Sequence, residues 1–331
     1  MWEEKKADKK SMNLSLVKGG IYGVCVGDAL GVPVEFKTRK GLEKNPVKGM
    51  IGYGTHLQPA GTWSDDSSML LALADSIGIN KGINLQDIME RFLAWQQEGK
   101  YSPGGKCFDI GGVVRTALGN FKAGEQPIFC GDEAERSNGN GSLMRILPMA
   151  YVLYASYGVN LTSHDEAMEV IHEVSCLTHR HEISLSACGI YINIAVQLID
   201  GKSLKEAITE GTKSALKWYR TQDSFEGVSD IWKRLDDMDA FTLLPDGLIS
   251  SGGYVVDTLE AALWCLLNTD NYEDCVLKAV NLGKDTDTTA CVAGGLAGLV
   301  YGLDGIPKEW IEILKGKDII DSCCEKFMGV L

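Results

Sequence analysis

Asp285-Thr286-Asp287-Thr288-Thr289-Ala290-Cys291-Val292-Ala293-Gly294-Gly295-Leu296-Ala297-Gly298-Leu299-Val300 carries the most information about how this chain folds. Carboxylates and hydroxyls open the stretch, and an unbroken run of small and apolar residues follows. The run has no strand-type alternation and is long enough for several helical turns. Glycine costs about 1 kcal/mol of helix propensity relative to alanine. Its repeated use here predicts a central helix, packed on all sides, whose neighbours approach it backbone to backbone. Asp and Thr suit a helix N-terminus, where they cap free N–H groups and favour the helix dipole. Two aspartates one residue apart exceed what a cap requires.

A second cluster, Ser64-Asp65-Asp66-Ser67, stands before the apolar run Met69 to Ala74. Read alone, it is an N-cap followed by first-turn acids. Two such clusters, each heading an apolar helix, point elsewhere. Hard divalent cations take clustered oxygens, and a two-metal site needs about two such groups. The residues therefore predict a binuclear Mg²⁺ or Mn²⁺ hydrolase.

Helical spacing dominates the rest of the chain. Leu14, Val17, Ile21 and Cys25 recur at steps of three and four and lead into Gly27-Asp28-Ala29-Leu30-Gly31. Similar patterns predict helices at 67–79, 85–98, 109–122, 141–157, 164–175, 182–200, 204–218, 226–235, 256–268, 272–282, 288–302 and 308–315. Pro148 is the one proline inside such a segment and is expected to bend or split it. Residues 37–62 read as loop with room for short strands. Residues 1–12 are polar and expected to be frayed, leaving one all-α domain over 13–331, a compact helical bundle with a central binuclear metal site.

Composition sets limits on function. The 331-residue chain has a formal net charge of −13, which argues against a nucleic-acid partner. Its ten cysteines include no C-x-x-C pair and sit mostly in apolar stretches, as expected of buried thiols in a reducing cytoplasm. The charged N-terminus has no apolar signal core behind it. The longest apolar stretch, Thr289 to Tyr301, is broken by glycines and too short to cross a bilayer. A cytoplasmic monomer without membrane contact is expected.

Further candidates follow from local chemistry. Glu35 stands between Val34 and Phe36, a setting that would raise its pKa on burial and suit it to acid–base work. Asp28 reads equally as a partner for local backbone donors. Ser137-Asn138-Gly139-Asn140-Gly141-Ser142 and Asp109-Ile110-Gly111-Gly112 are tight turns at helix starts, able to cradle an anion. Thr178-His179-Arg180-His181 lacks a third ligand for zinc, so a histidine touching ligand or capping a helix is expected.

Taken in order, these motifs resemble the ADP-ribosylglycohydrolase family over residues 14 to 302. The resemblance rests on Gly27 to Gly31 with Glu35, Ser64 to Ser67, Asn138-Gly139 with Met144-Arg145, Thr178-His179, and Gly283 with Asp285 to Thr288. It implies a compact all-α fold holding two Mg²⁺ or Mn²⁺ ions, with Ser64, Asp65 and Asp66 as ligands on one side and Asp285, Asp287 and Thr288 on the other. It implies catalysis by Glu35, with a metal-bound aspartate, Asp66 or Asp285, as the other candidate to move the proton. Asp109 would face the distal ribose. Asn138, Gly139, Gly141 and Ser142, with Gly111, would lie along the ADP-ribose phosphates, and His179 near the substrate. The implied reaction releases ADP-ribose from a protein side chain or a small ADP-ribose derivative. Gly27 to Glu35 and Cys107 to Gly111 look closest to the arginine-directed branch. Serine-linked ADP-ribose, O-acetyl-ADP-ribose and a non-catalytic ADP-ribose-binding or toxin-immunity role are the alternatives. One departure stands out: Lys284 occupies a position where many members have glycine.

Overall fold

In the computed structural model, which describes residues 12–331, the glycine-rich helix Thr286–Tyr301 lies antiparallel to the first helix, Leu14–Gly31, with the two backbones in direct contact. A methyl group added at Gly23 would stand 2.2 Å from the Gly294 carbonyl oxygen, and one at Gly27 2.2 Å from that of Ala290. From the other side, Gly298 would reach the Gly19 carbonyl at 2.1 Å. Glycine every four residues on both helices therefore sets their separation, offsetting its low helix propensity with close packing. At the end of this seam Gly31 meets the Asp287 backbone, where a methyl group would stand 2.3 Å from its Cα. The Asp285 loop is thus held by main chain, with little freedom to move.

Other helices wrap this pair. Asp65–Asn80, Val255–Leu267, Tyr272–Asn281 and Lys317–Met328 pack around it, and Glu182–Asp200 is buried along nearly its whole length. The architecture is all-α, with no strand among the described residues and only two isolated bridges, Asp132 to His179 and Gly139 to Tyr254. Residues 1–11, most of the segment expected to be frayed, lie outside the described residues, whereas Met12 packs against the core.

Several expectations need correction. The 141–157 segment forms a helix only from Pro148, which takes the first helical position, where its missing N–H costs nothing. The 226–235 segment is broken into Val228–Ile231 and a 3₁₀ turn, Lys233–Asp236. Between them Trp232 is buried, donates Nε1 to Ser186 Oγ at 2.9 Å, and leaves the helical backbone region. Residues 37–62 contain a short helix, Arg39–Lys44, instead of strands. Lys317–Met328 was not expected, because its buried stripe of Ile320, Cys323, Cys324 and Phe327 alternates with charges. Two helices, Leu14–Val34 and Glu182–Asp200, do have the length and hydropathy to span a bilayer, but 83% and 89% of their apolar windows are buried within the protein. They are core helices.

Candidate active site

The two acidic clusters meet in space. Asp65 and Asp66 occupy the first turn of Asp65–Asn80, with Ser64 as N-cap. Asp285 precedes Thr286–Tyr301, whose first turn carries Asp287 and Thr288. Ser64 Oγ donates to Asp66 Oδ2 at 2.9 Å, and Thr288 Oγ1 reaches the same oxygen from the other helix at 3.5 Å. Carboxylate oxygens of Asp28, Asp66 and Asp287 lie within 4.8 Å of one another, as do those of Glu35, Asp285 and Asp287. Asp287 belongs to both groups.

Such crowding is costly without a cation. Burial first, and then the neighbouring carboxylates, hold Asp65, Asp66 and Asp287 well above the ordinary aspartate range. Burial also raises Asp285, against hydrogen bonds from Asn140 and Thr288. Asp66 Oδ1 and Asp287 Oδ2 are buried with no hydrogen-bond partner among the described residues. Buried carboxylate oxygens without donors, beside two hydroxyls, form a donor set that fits hard divalent cations.

Asp28 does meet backbone donors, but on a remote element rather than locally as expected. Its carboxylate accepts from Ser64 N at 2.9 Å, Ser67 N at 3.0 Å and Ser67 Oγ at 2.6 Å, so it caps the Asp65 helix from another element. Burial lifts its pKa to about 6 against these donors.

Glu35 is held beside the Asp285 loop by a reciprocal backbone pair. Phe36 N donates to Lys284 O at 2.6 Å, and Lys284 N donates to Lys37 O at 2.7 Å. Burial pushes the Glu35 carboxyl up to about 7, opposed by its hydrogen bond with His56 and aided by Asp109 and Asp285. His56 bonds Glu35 Oε2 through Nε2, lies 3.7 Å from Asp109 Oδ2, and sits between the Phe36 and Phe108 rings at 6.0 and 5.6 Å. Nothing in the local sequence marked His56; only the fold brings its loop to Glu35.

A cleft opens over this centre. Of the residues expected at the site, Glu35, Asp65, Asp109, Gly111, Gly139, Gly141, His179, Asp285 and Thr288 line it. Ser64, Asp66 and Asp287 lie beneath that lining, bonded or close to it. Asn138 and Ser142 are buried and do not line the cleft. Asn138 donates Nδ2 to Glu135 O and accepts from Ser184 Oγ, while Ser142 Oγ meets Cys188 Sγ. Asn140, also buried, lines the cleft instead, donating Nδ2 to Asp285 Oδ2 at 2.9 Å. Its position two residues along the same glycine turn was the available signal. Gly253, from Ser250-Ser251-Gly252-Gly253, also lines the cleft and carried no signal.

Lys284 adopts φ 64°, the left-handed region that favours glycine, and its side chain is exposed to solvent. The loop therefore keeps the conformation a glycine would take, and the lysine does not enter the acidic cluster.

Comparison with known proteins agrees with this arrangement. The family model described as ADP-ribosylglycohydrolase matches residues 10–331. The chain is 32% identical over 306 residues to the ADP-ribosylarginine hydrolase Tri1 of Pseudomonas putida, covering 90% of this chain and 74% of that one. It is 29% identical over 302 residues to the ADP-ribosyl-[dinitrogen reductase] glycohydrolase of Rhodospirillum rubrum, covering 90% of each. A solved structure titled ADP-ribosylglycohydrolase-related protein complex superposes with a TM-score of 0.76 at 28% identity, covering 96% of this chain and 98% of that chain. A match across nearly the whole chain, together with the convergence of both acidic clusters on one cleft, places this protein in the ADP-ribosylglycohydrolase family.

Proposed function

We propose that this glycohydrolase cleaves the bond between the distal ribose of ADP-ribose and an arginine side chain of a protein, with two divalent ions, Mg²⁺ or Mn²⁺, bound at the acidic centre. The observation that carries the arginine assignment is the 32% identity, over most of the chain, to proteins named ADP-ribosylarginine hydrolase. Ser64, Asp65, Asp66, Asp285, Asp287 and Thr288 would hold the ions. When bound, the ions supply electrostatic clamping of ribose hydroxyls and of the attacking water.

The chain's own groups perform the rest. Glu35, poised near neutral pH and hydrogen-bonded to His56, takes or returns the proton of the nucleophilic water. Asp109 faces the ribose end of the cleft beside His56. Gly111, at the start of the Gly112–Lys122 helix, offers backbone N–H groups and a helix N-terminus to the diphosphate, and Gly139 and Gly141 leave room for close approach. A reducing cytoplasm suits a chain with eight buried cysteines, all ten being free thiols.

The test is release of ADP-ribose from arginine-linked and serine-linked protein substrates and from O-acetyl-ADP-ribose, each with Mg²⁺, with Mn²⁺ and with chelator. Metal-dependent release from the arginine-linked substrate is expected. Release only from the other substrates would overturn the linkage, and full activity in chelator would overturn the metals. Binding of ADP-ribose without turnover of any substrate would favour a binding role.

A further inference from the structure

His179 lines the cleft and is 2% exposed. Its Nε2 faces the glycine turn, since a methyl group on Gly139 or Gly141 would stand 3.5 Å from that atom. On the opposite side of the ring, Nδ1 lies 2.9 Å from Thr178 Oγ1. The same hydroxyl accepts a hydrogen bond from Arg145 NH2 at 2.8 Å. Among the described residues these are the hydroxyl's only two partners.

The donor and acceptor arithmetic then closes. A guanidinium has donors and no acceptor, so Arg145 occupies a lone pair of Thr178 and cannot receive its proton. An Nδ1–H could occupy the second lone pair, but the buried Thr178 O–H would then have no acceptor; only Nδ1 as acceptor pairs every one of these groups. A neutral imidazole carries one N–H, and with Nδ1 accepting, that proton stands on Nε2. We infer that Arg145, acting through Thr178, is a positioning residue that holds His179 as the neutral Nε2–H tautomer, so that the cleft presents a fixed hydrogen-bond donor at this point.

The surroundings of Arg145 support this role. Its side chain is fully buried over the Phe92 ring, 4.9 Å from the centroid, with Val174 O accepting from NH2 at 3.1 Å. Among the described residues, Nε and NH1 have no hydrogen-bond partner and no carboxylate pairs with the group. Burial lowers its pKa to about 10, which leaves it charged at neutral pH. Burial and this cation push His179 down to about 3, with Asp132 opposing weakly. Both effects disfavour the imidazolium form, and Nε2 carries a proton in either case. A ligand atom meeting Nε2 must be an acceptor. Only the identity of that acceptor, a hydroxyl or phosphate oxygen of the ADP-ribosyl group, rests on the function proposed above.

Long-range ¹H–¹⁵N spectra of histidine side chains in the full-length, ligand-free protein at pH 7 test the inference directly. The five histidines are distinguished with His179→Asn. The Nε2–H pattern is expected for His179 in the wild type and in Thr178→Ser. In Thr178→Val, which removes the hydroxyl at similar volume, a mixture of tautomers is expected. The same variant should lose about tenfold in kcat/KM, with Thr178→Ser recovering most of it. An Nδ1–H or doubly protonated His179 in the wild type would overturn the inference, as would a folded Thr178→Val with an unchanged spectrum. If Thr178→Val does not fold, the wild-type and Thr178→Ser spectra still decide. A wild type inactive on every ADP-ribosyl substrate would count against the proposed function alone, because the tautomer is read without ligand.

Discussion

Asp287 belongs to both groups of converging carboxylates, and its Oδ2 is buried without a donor. Asp287→Asn keeps the shape and removes the charge. It is expected to cut turnover more than about a hundredfold and to weaken Mn²⁺ binding in calorimetric titration. In chelator the same variant should melt higher than the wild type, because a buried, uncompensated charge has gone. A lower melting point in chelator would assign Asp287 a structural role instead. Lys284 poses the opposite question. Its left-handed backbone costs about 1 kcal/mol for a non-glycine residue, and glycine would return a similar amount as added freedom of the unfolded chain. Lys284→Gly is therefore expected to change unfolding free energy by less than about 1 kcal/mol, with activity retained. The sequence shows which residues are acidic and stand at helix starts, because capping is local chemistry. It does not show that Asn140 rather than Asn138 reaches Asp285, or that His56 reaches Glu35. Those pairings join residues 145 and 21 positions apart and depend on how whole elements pack.

At the scale of elements, the seam between Leu14–Gly31 and Thr286–Tyr301 carries the Asp285 loop and Glu35 on its end. Gly294→Ala would drive a methyl group to 2.3 Å from the Gly23 carbonyl oxygen. Both backbones would have to separate, at a cost of about 3 kcal/mol or more, and the Asp285 loop would shift with them. Gly119 is the control, because it lies mid-helix on an exposed face with nothing within 4 Å of an added methyl group. Gly119→Ala should stabilise the protein by about 0.5 to 1 kcal/mol in denaturant unfolding. Helix existence and type were legible from apolar spacing for most of the chain, and the glycine content announced close backbone approach. Which helix made that approach was not legible, since a glycine stripe has no side chain to name its partner. The ends were weakest wherever a tertiary anchor such as Trp232 overrode local preference.

For the whole molecule, the acidic site would store electrostatic strain whenever no cation offsets its carboxylates. Glu35 is raised to about 7, and Asp65, Asp66 and Asp287 stand well above their ordinary range. An acid raised on folding contributes stability below its ordinary pKa and loses it as pH climbs through the raised value. His56, raised chiefly by its bond to Glu35, acts in the same direction. His172 and His179, lowered by burial to about 4 and 3, add stability with rising pH only up to their ordinary value near 6.5. Between pH 6.5 and 8.5 the acids act without that opposition, so the melting temperature in chelator is expected to fall by on the order of 5 °C. Saturating Mg²⁺ or Mn²⁺ should remove most of that fall, and a flat profile in chelator would count against the crowded site. By itself the sequence determined the helical class, the two acidic clusters and the family, because spacing, capping and motif order are written along the chain. Only the tertiary structure decided that Asp287 serves both oxygen groups, that Asp28 caps the Asp65 helix, and that Arg145 reaches the cleft through Thr178 and His179. These depend on distances between residues remote in sequence, which the antiparallel packing of glycine-lined backbones sets.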